Sequence, residues 1–134
     1  MASIESIKTN IDWETNGKWV DYYAGIELLI ARSGNPAYNE CMRSLVEPIT
    51  EEIRDDKTTV QDWAALLLKV RAKTVLLGWR NLDDKEGNPI PYSAEKAEEF
   101  FNDPELKDFY KFVRETSESA ETYLKRVAKE TLGN

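Results

Sequence analysis

The sequence contains no histidine and only one cysteine among its 134 residues. Without histidine, a chain cannot build a Ser-His-Asp or Cys-His catalytic arrangement, nor a zinc site that uses imidazole ligands. The single cysteine, Cys41, allows no internal disulfide, and this fits a reducing cytoplasm. Carboxylates, lysines and tyrosines remain as the catalytic candidates.

Long hydrophobic runs are also missing. No stretch approaches the ~20 apolar residues of a membrane span, and the N-terminus lacks the basic region and apolar run of a signal peptide. The formal net charge of −7 predicts repulsion from phosphate backbones and from anionic membrane surfaces. We therefore expect neither nucleic acid nor a membrane as a direct partner.

The remaining composition is typical of a folded domain. Hydrophobic residues make up 41% of the chain and charged residues 32%, so the chain can form a core. A length of 134 residues matches one domain. We predict a single domain over residues 1–134, frayed at residues 1–7 and 130–134.

Residues 9–32 have the pattern of a small β-meander. Ile11 and Trp13 alternate with polar neighbours, and Asn16-Gly17 is a strong hairpin signal. A second turn at Ala24-Gly25 leads into a strand whose apolar residues alternate. We expect two or three strands that pack on helices, because a lone hairpin is only marginally stable.

Helix signals dominate the rest of the chain. Asn35-Pro36 combines an N-cap with proline at the first helical position, Pro48 predicts a kink or break, and Thr58-x-x-Gln61 resembles a capping box. Residues 60–77 then form the most apolar helix, with an arc so wide that it implies cover on most sides. We predict a mainly α fold of four to five packed helices around this central apolar helix at about 60–77, with a small N-terminal β-meander or hairpin.

The connector, residues 78–93, is the only long break between the predicted helices. Trp79 stands at its entrance, Tyr92 at its exit, and Ser93 caps the next helix. The two aromatic residues could stack a ligand, but a loop with prolines needs anchors to hold one course. We therefore expect both rings to bury against the central helix and to hold the connector in place.

Acidic residues occur as adjacent pairs, such as Glu51-Glu52 and Asp83-Asp84. Adjacent side chains on a helix diverge by ~100°, whereas acid–base catalysis needs two carboxyls that converge on one substrate. The connector also fails the register of a calcium loop, because Ser93 stands where a bidentate glutamate is required. We expect no catalytic residue, no metal site and no cofactor. With Gly87 at a positive φ, a solvated acidic turn is the simpler interpretation.

The connector and its surroundings resemble a pattern in small tail assembly chaperones and related tail components of long-tailed bacteriophages and prophages. The matching motifs are Leu77–Trp79 followed by Asp84–Ser93, which reads D-x-x-G-x-P-x-P-Y-S, and upstream Trp19–Tyr22 and Ile30–Tyr38. The similarity extends over about residues 10–130.

The resemblance implies a protein of the host cytoplasm that binds the long, helical, apolar tape measure protein, keeps it soluble and helps to present it for assembly with the tail tube protein. Such chaperones are not enzymes and are absent from the mature virion. The alternatives are a minor structural tail or connector component and, less favoured, a carboxylate-dependent enzyme. Because a shielding protein exposes apolar surface, weak self-association is also expected.

The partner-binding candidates are the aromatic, proline and aliphatic residues of the connector and of the last two apolar stripes: Trp79, Pro89, Pro91, Tyr92, Phe100, Phe109, Phe112, Tyr123, Leu124 and Val127. The stretch from Ser117 onward has few apolar residues among many charges. We expect it to form a weakly held amphipathic helix that lifts to admit a client helix, with an ordinary packed terminal helix as the alternative.

Overall fold

The structure is a computed structural model that describes residues 3–125. Within this part of the chain, six α-helices and three β-strands are joined by turns and short 3-10 segments. The helices are α1 (Ile11–Asn16), α2 (Pro36–Val46), α3 (Thr50–Arg54), α4 (Val60–Thr74), α5 (Ala94–Asn102) and α6 (Lys107–Glu118). The strands are β1 (Lys18–Asp21), β2 (Glu27–Ile30) and β3 (Leu76–Arg80). Among the described residues, no helix has the length and apolar character needed to cross a bilayer.

The strands form one antiparallel sheet in the order β1-β2-β3. The turn between β1 and β2 is the predicted one, and both Ala24 and Gly25 have positive φ angles, of 55° and 82°. The alternation of β2 buries Leu28 and Ile30, each with 0% exposure. Between β2 and β3 the chain leaves the sheet to form α2, α3 and α4.

The core lies between the sheet, the helices α5 and α6, and the C-terminal end of α4. All of these elements contribute buried side chains to it: Leu28, Ile30, Ala72, Val75, Leu76, Trp79, Ala97, Phe101, Phe109 and Val113. The sheet is therefore one of the layers of the core and not a small cover on a helical bundle.

The prediction of a mainly α fold is wrong, because the fold is mixed α/β. Residues 60–77 do not form one helix, since α4 ends at Thr74 and β3 begins at Leu76. A short apolar run has no periodicity that separates a buried strand from a buried helical turn. The strand forms here because its backbone pairs with β2, which places Leu28 opposite Trp79.

The prediction of a central apolar helix is also wrong. The buried residues of α4 all lie in its last turns, between Val70 and Thr74, whereas Val60 at its first position is 81% exposed. The wide apolar arc of this helix is therefore fully buried only at its C-terminal end and half-buried at Trp63 and Leu66–Leu68.

The predicted first hairpin, with Ile11 and Trp13 in a strand, is replaced by α1. The side chain of Asn10 caps this helix by accepting a hydrogen bond from the Trp13 N–H at 3.1 Å. Asn16 is the last helical residue, and Gly17 follows it with φ at 91°. A glycine at positive φ ends a helix as readily as it forms a hairpin turn, and the sequence pair does not separate the two.

The other local signals are mostly confirmed. Asn35 caps α2 with Pro36 at the first helical position, and Ser93 caps α5. Pro48 lies in a 3-10 segment, Glu47–Ile49, that separates α2 from α3.

The capping box of α4 lies one residue later than predicted. Thr59, not Thr58, accepts from the Asp62 N–H at 3.1 Å, and the Asp62 carboxylate accepts from the Thr59 N–H at 2.9 Å. The backbone hydrogen bond from Thr59, with a smaller contribution from its hydroxyl, lowers the pKa of Asp62 below its ordinary value.

Candidate protein-binding surface

Trp79 and Tyr92 hold the connector to the core. Trp79 lies in β3, is 7% exposed, and donates a hydrogen bond from Nε1 to the carbonyl oxygen of Ile90 at 2.8 Å. Tyr92 packs edge-on against it with ring centroids 4.9 Å apart and donates its hydroxyl to the carbonyl of Leu76. Trp79 shares the core cluster with Ala72 of α4, but the ring that it stacks on is Phe100 of α5, at 5.3 Å between centroids.

The side chain of Asp84 orders the acidic turn of the connector. The Asp84 carboxylate accepts hydrogen bonds from the backbone N–H groups of Glu86 and Asn88, both at 2.9 Å. Gly87 has the positive φ that was expected, at 85°. Pro89 and Pro91 follow on the exposed side of the loop. Of the predicted contact residues in the connector, only these prolines present an exposed surface.

Five of the predicted partner-binding residues lie in one aromatic cluster: Trp79, Tyr92, Phe100, Phe109 and Phe112. Three further rings complete the cluster: Tyr22, Phe101 and Tyr110. Phe109 links the parts, with ring centroids 5.6 Å from Tyr22 and 6.3 Å from Phe100. Phe109 is itself only 7% exposed. The cluster is therefore the aromatic part of the core, with Phe112, Tyr92 and Phe100 half-buried at its edge.

Tyr123 lies apart from this cluster and is fully buried. Its hydroxyl donates to the carbonyl of Ile30 at 3.1 Å, and the Arg32 guanidinium carbon stands 5.7 Å from its ring centroid. Burial raises the pKa of the Tyr123 hydroxyl well above its ordinary value. Leu124 forms an isolated antiparallel β-bridge with Thr9 of the N-terminal segment. Val127 lies outside the described residues.

The amphipathic helix predicted from Ser117 onward is not formed by the described residues, and its weak attachment stays a prediction. Ser117 and Glu118 end α6, and residues 120–123 form a 3-10 turn that inserts the Tyr123 ring into the core. One large buried ring favours a firmer hold on the segment than its narrow apolar stripe suggested.

A second candidate surface lies on helices that the sequence indicated as core. Residues 36–69, which we call the apolar arm, comprise α2, α3 and the N-terminal part of α4, and not one of these residues is buried. The arm nevertheless carries many large apolar side chains: Tyr38, Cys41, Met42, Leu45, Val46, Ile49, Ile53, Val60, Trp63, Leu66, Leu67 and Leu68. Tyr38 and Leu68 reach the edge of the core, and the remainder are half-buried or exposed.

Two hollows lie along α4, one within the arm and one between the arm and the rest of the fold. A hollow of about 230 Å³ lies where α4 meets α2, and it is lined by Leu45, Ile49, Ala65, Leu66 and Lys69. A larger one, about 490 Å³, lies on the side of α5 and α6. We call it the α4–α6 groove; it is lined by Gln61, Ala64, Ala65, Leu67, Leu68, Arg71, Asn102, Tyr110 and Arg114. Exposed apolar surface with concave features is typical of a protein-binding site.

The wide apolar arc of residues 60–77 was the available signal for this surface. A sequence shows that such an arc exists but not whether the same chain covers it. The arc therefore predicts core, whereas the buried residues of α4 begin at Val70 and Val60 is exposed.

The partly open apolar helices indicate a protein-binding class of protein, and one family model matches the chain. The model of the YdaY prophage protein family matches residues 33–134, which include the arm, the connector and the last helices. The chain belongs to the YdaY prophage protein family, and its function is phage-related. No curated protein and no solved structure matches the chain. The prophage origin in the predicted resemblance is confirmed, and the tail assembly role stays a prediction.

Proposed function

We propose that the protein is a tail assembly chaperone that binds the tape measure protein of its prophage through the apolar arm. The main observation that supports this proposal is the arm, a run of 34 residues from Pro36 to Lys69 in which no apolar side chain is fully buried. Most of these side chains are half-buried and Val60 is exposed, so a partner could cover further apolar surface along the arm. Membership of a prophage family and the similarity of the connector motifs support the same role.

The form of the arm suits a helical client. The hollow between Leu45, Ile49 and Leu66 follows the line between two helices, and an amphipathic helix binds by laying its apolar face in such a groove. A tape measure protein, as the resemblance describes it, is long, helical and apolar. The tail tube protein is the second partner that we propose, at the stage when the client is handed over.

We also propose where the protein acts and that it is not an enzyme. The protein would act in the host cytoplasm, release its client as the tail forms, and be absent from the mature virion. It would act by binding alone. Pro89 and Pro91, which are exposed, remain candidates for a secondary contact, whereas Trp79, Phe109 and Tyr123 would support the fold from within.

Co-expression with the tape measure protein of the same prophage tests this role. We expect the wild-type chain to keep the client in the soluble fraction, and a Val60→Glu, Leu66→Glu variant to lose it to the pellet. Tyr23→Ser is the matched control, because Tyr23 is 76% exposed, close to the 81% of Val60, but lies in the β1–β2 turn. A client that is insoluble with the wild-type chain contradicts the proposal.

Mass spectrometry of purified virions separates the chaperone from a minor structural component. We expect the protein to be absent from virions. Its presence at a fixed copy number would replace the chaperone role by a structural role in the tail or connector.

A further inference from the structure

The α4–α6 groove has an apolar wall and a cationic end. Ala64, Leu67 and Leu68 form its wall on α4. Arg71 and Arg114 stand at the other end, on α4 and α6, together with the hydroxyl of Tyr110. The positive charge of these two guanidinium groups is opposite in sign to the net charge of the chain, which is −7.

Arg71 is buried without being fully paired. It is 8% exposed, and its Nη1 donates to the Tyr110 hydroxyl at 2.8 Å. Its Nη2 reaches the Glu118 carboxylate only at 3.4 Å, and that side chain is 50% exposed. Its Nε has no hydrogen-bond partner among residues 3–125. A buried cation is costly unless it is closely paired, so this guanidinium favours a further anion in the groove.

Arg114 adds a second cation that is free to bind. In the described part of the chain, its side chain takes part in no hydrogen bond and no ion pair. It lies one helical turn before Glu118 and lines the same groove as Arg71. Two guanidinium groups beside one opening can hold a carboxylate with several charge-assisted hydrogen bonds.

We propose that the α4–α6 groove binds an apolar helical segment that carries a carboxylate, and that Arg71 and Arg114 hold this carboxylate while α4 packs against the apolar face. This inference rests on the proposed function, because it defines which part of a client binds in the groove beside the arm. Charge complementarity identifies the occupant as an acidic amphipathic segment of a partner. Glu118 is the internal competitor, since its carboxylate already faces Arg71.

Two synthetic helical peptides test the inference by fluorescence anisotropy. Both carry leucine and alanine on one face; one has a single glutamate beside that face and the other has glutamine at the same position. We expect the glutamate peptide to bind about tenfold more tightly, the usual scale for one charge-assisted contact. Added salt should reduce this difference, because part of the groove is open to solvent.

Three variants give effects of different sign. Arg114→Gln should abolish the preference for the glutamate peptide, whereas Glu118→Gln should strengthen its binding, because the competing carboxylate is gone. Lys111→Gln is the matched control, because Lys111 is an exposed cation of α6 that lies outside the arm and does not line the groove. Each variant is compared with wild type by its thermal midpoint, so that loss of folding is not taken for loss of binding.

The outcomes separate this inference from the proposed function. Equal binding of the two peptides, or no binding of either, overturns the acidic-segment inference. If light scattering then shows a dimer that Arg114→Gln dissociates, a second copy is the occupant, and the inference is equally overturned. If the glutamate preference holds while the tape measure protein stays insoluble on co-expression, the groove assignment stands and the chaperone role fails.

Discussion

The aromatic cluster and the apolar arm are both rich in large hydrophobic side chains, but the fold treats them in opposite ways. In the cluster, Trp79 is buried among other rings and its indole N–H is satisfied by the Ile90 carbonyl. In the arm, side chains of similar character, such as Trp63 and Leu66, remain partly open to water. Apolar composition alone therefore does not distinguish a core from a binding surface. Stability is expected to reside in the cluster, and recognition in the arm.

The largest expected effect comes from removing both anchors of the connector. Trp79→Ala with Tyr92→Ala should destabilise the fold by several kcal/mol, because large-to-small substitution of a buried aromatic residue costs about 3–5 kcal/mol and Tyr92 is only half-buried. Chemical denaturation measures this loss, with Tyr23→Ala as the exposed control. If the double variant denatures like wild type, the rings do not anchor the connector and are better explained as a partner surface.

The next largest loss of stability is expected on substitution of Tyr123, which links the C-terminal segment to the core. Tyr123→Ala should cost about 3–4 kcal/mol by loss of buried ring volume, and Tyr123→Phe about 1 kcal/mol by loss of the hydrogen bond to Ile30. A Tyr123→Ala variant of wild-type stability would show that the segment is loosely held after all.

Because Tyr123 is buried, we also expect the protein to lose stability at alkaline pH. Its pKa in the folded state is raised above the ordinary value of 10.0, so folding favours the protonated phenol. This contribution is complete below pH 10 and is lost as the pH rises toward the folded-state pKa. We expect the free energy of unfolding to fall above pH 10 in wild type, and less steeply in Tyr123→Phe. Parallel pH profiles for the two proteins would contradict this assignment.

Local signals in the sequence predicted the parts of the fold that local chemistry decides. The cap at Asn35, the break at Pro48 and the turn at Ala24-Gly25 depend on side-chain oxygens and backbone angles within a few residues, and all three are confirmed. The strand β3 and the exposure of Val60 depend on neighbours that are distant in sequence. Nothing local marks Arg71 as a buried cation, so the groove could not be predicted either.

A smaller effect on stability, but a large one on binding, is expected in the arm. Val60→Ser should change the free energy of unfolding by less than about 0.5 kcal/mol, because the side chain is 81% exposed. Its effect on client solubility in co-expression should nevertheless exceed that of Tyr23→Ser. If Val60→Ser destabilises the fold as a core substitution does, the arm is covered within the chain itself and the comparison fails.

The smallest effect concerns the start of the arm's main helix. The hydrogen bond from Thr59 lowers the pKa of Asp62 below its ordinary value of 3.8, so its stabilising contribution is present above about pH 4 and is lost as the pH falls through the folded-state pKa. Asp62→Asn should lower the thermal midpoint at pH 6, with the difference from wild type disappearing toward pH 2. A difference that persists at pH 2 would assign the effect to geometry and not to charge.

Hydrogen exchange of the protein alone and in complex with the tape measure protein tests the central claim most directly. Amide protection reports which segments a partner covers or stabilises. We predict that the complex slows exchange in residues 36–69, most of all at the N-terminal part of α4, and leaves β2 and β3 unchanged. Protection confined to the connector, with the arm exchanging as fast as in the free protein, would contradict the account and move the binding site to Trp79, Tyr92 and their loop.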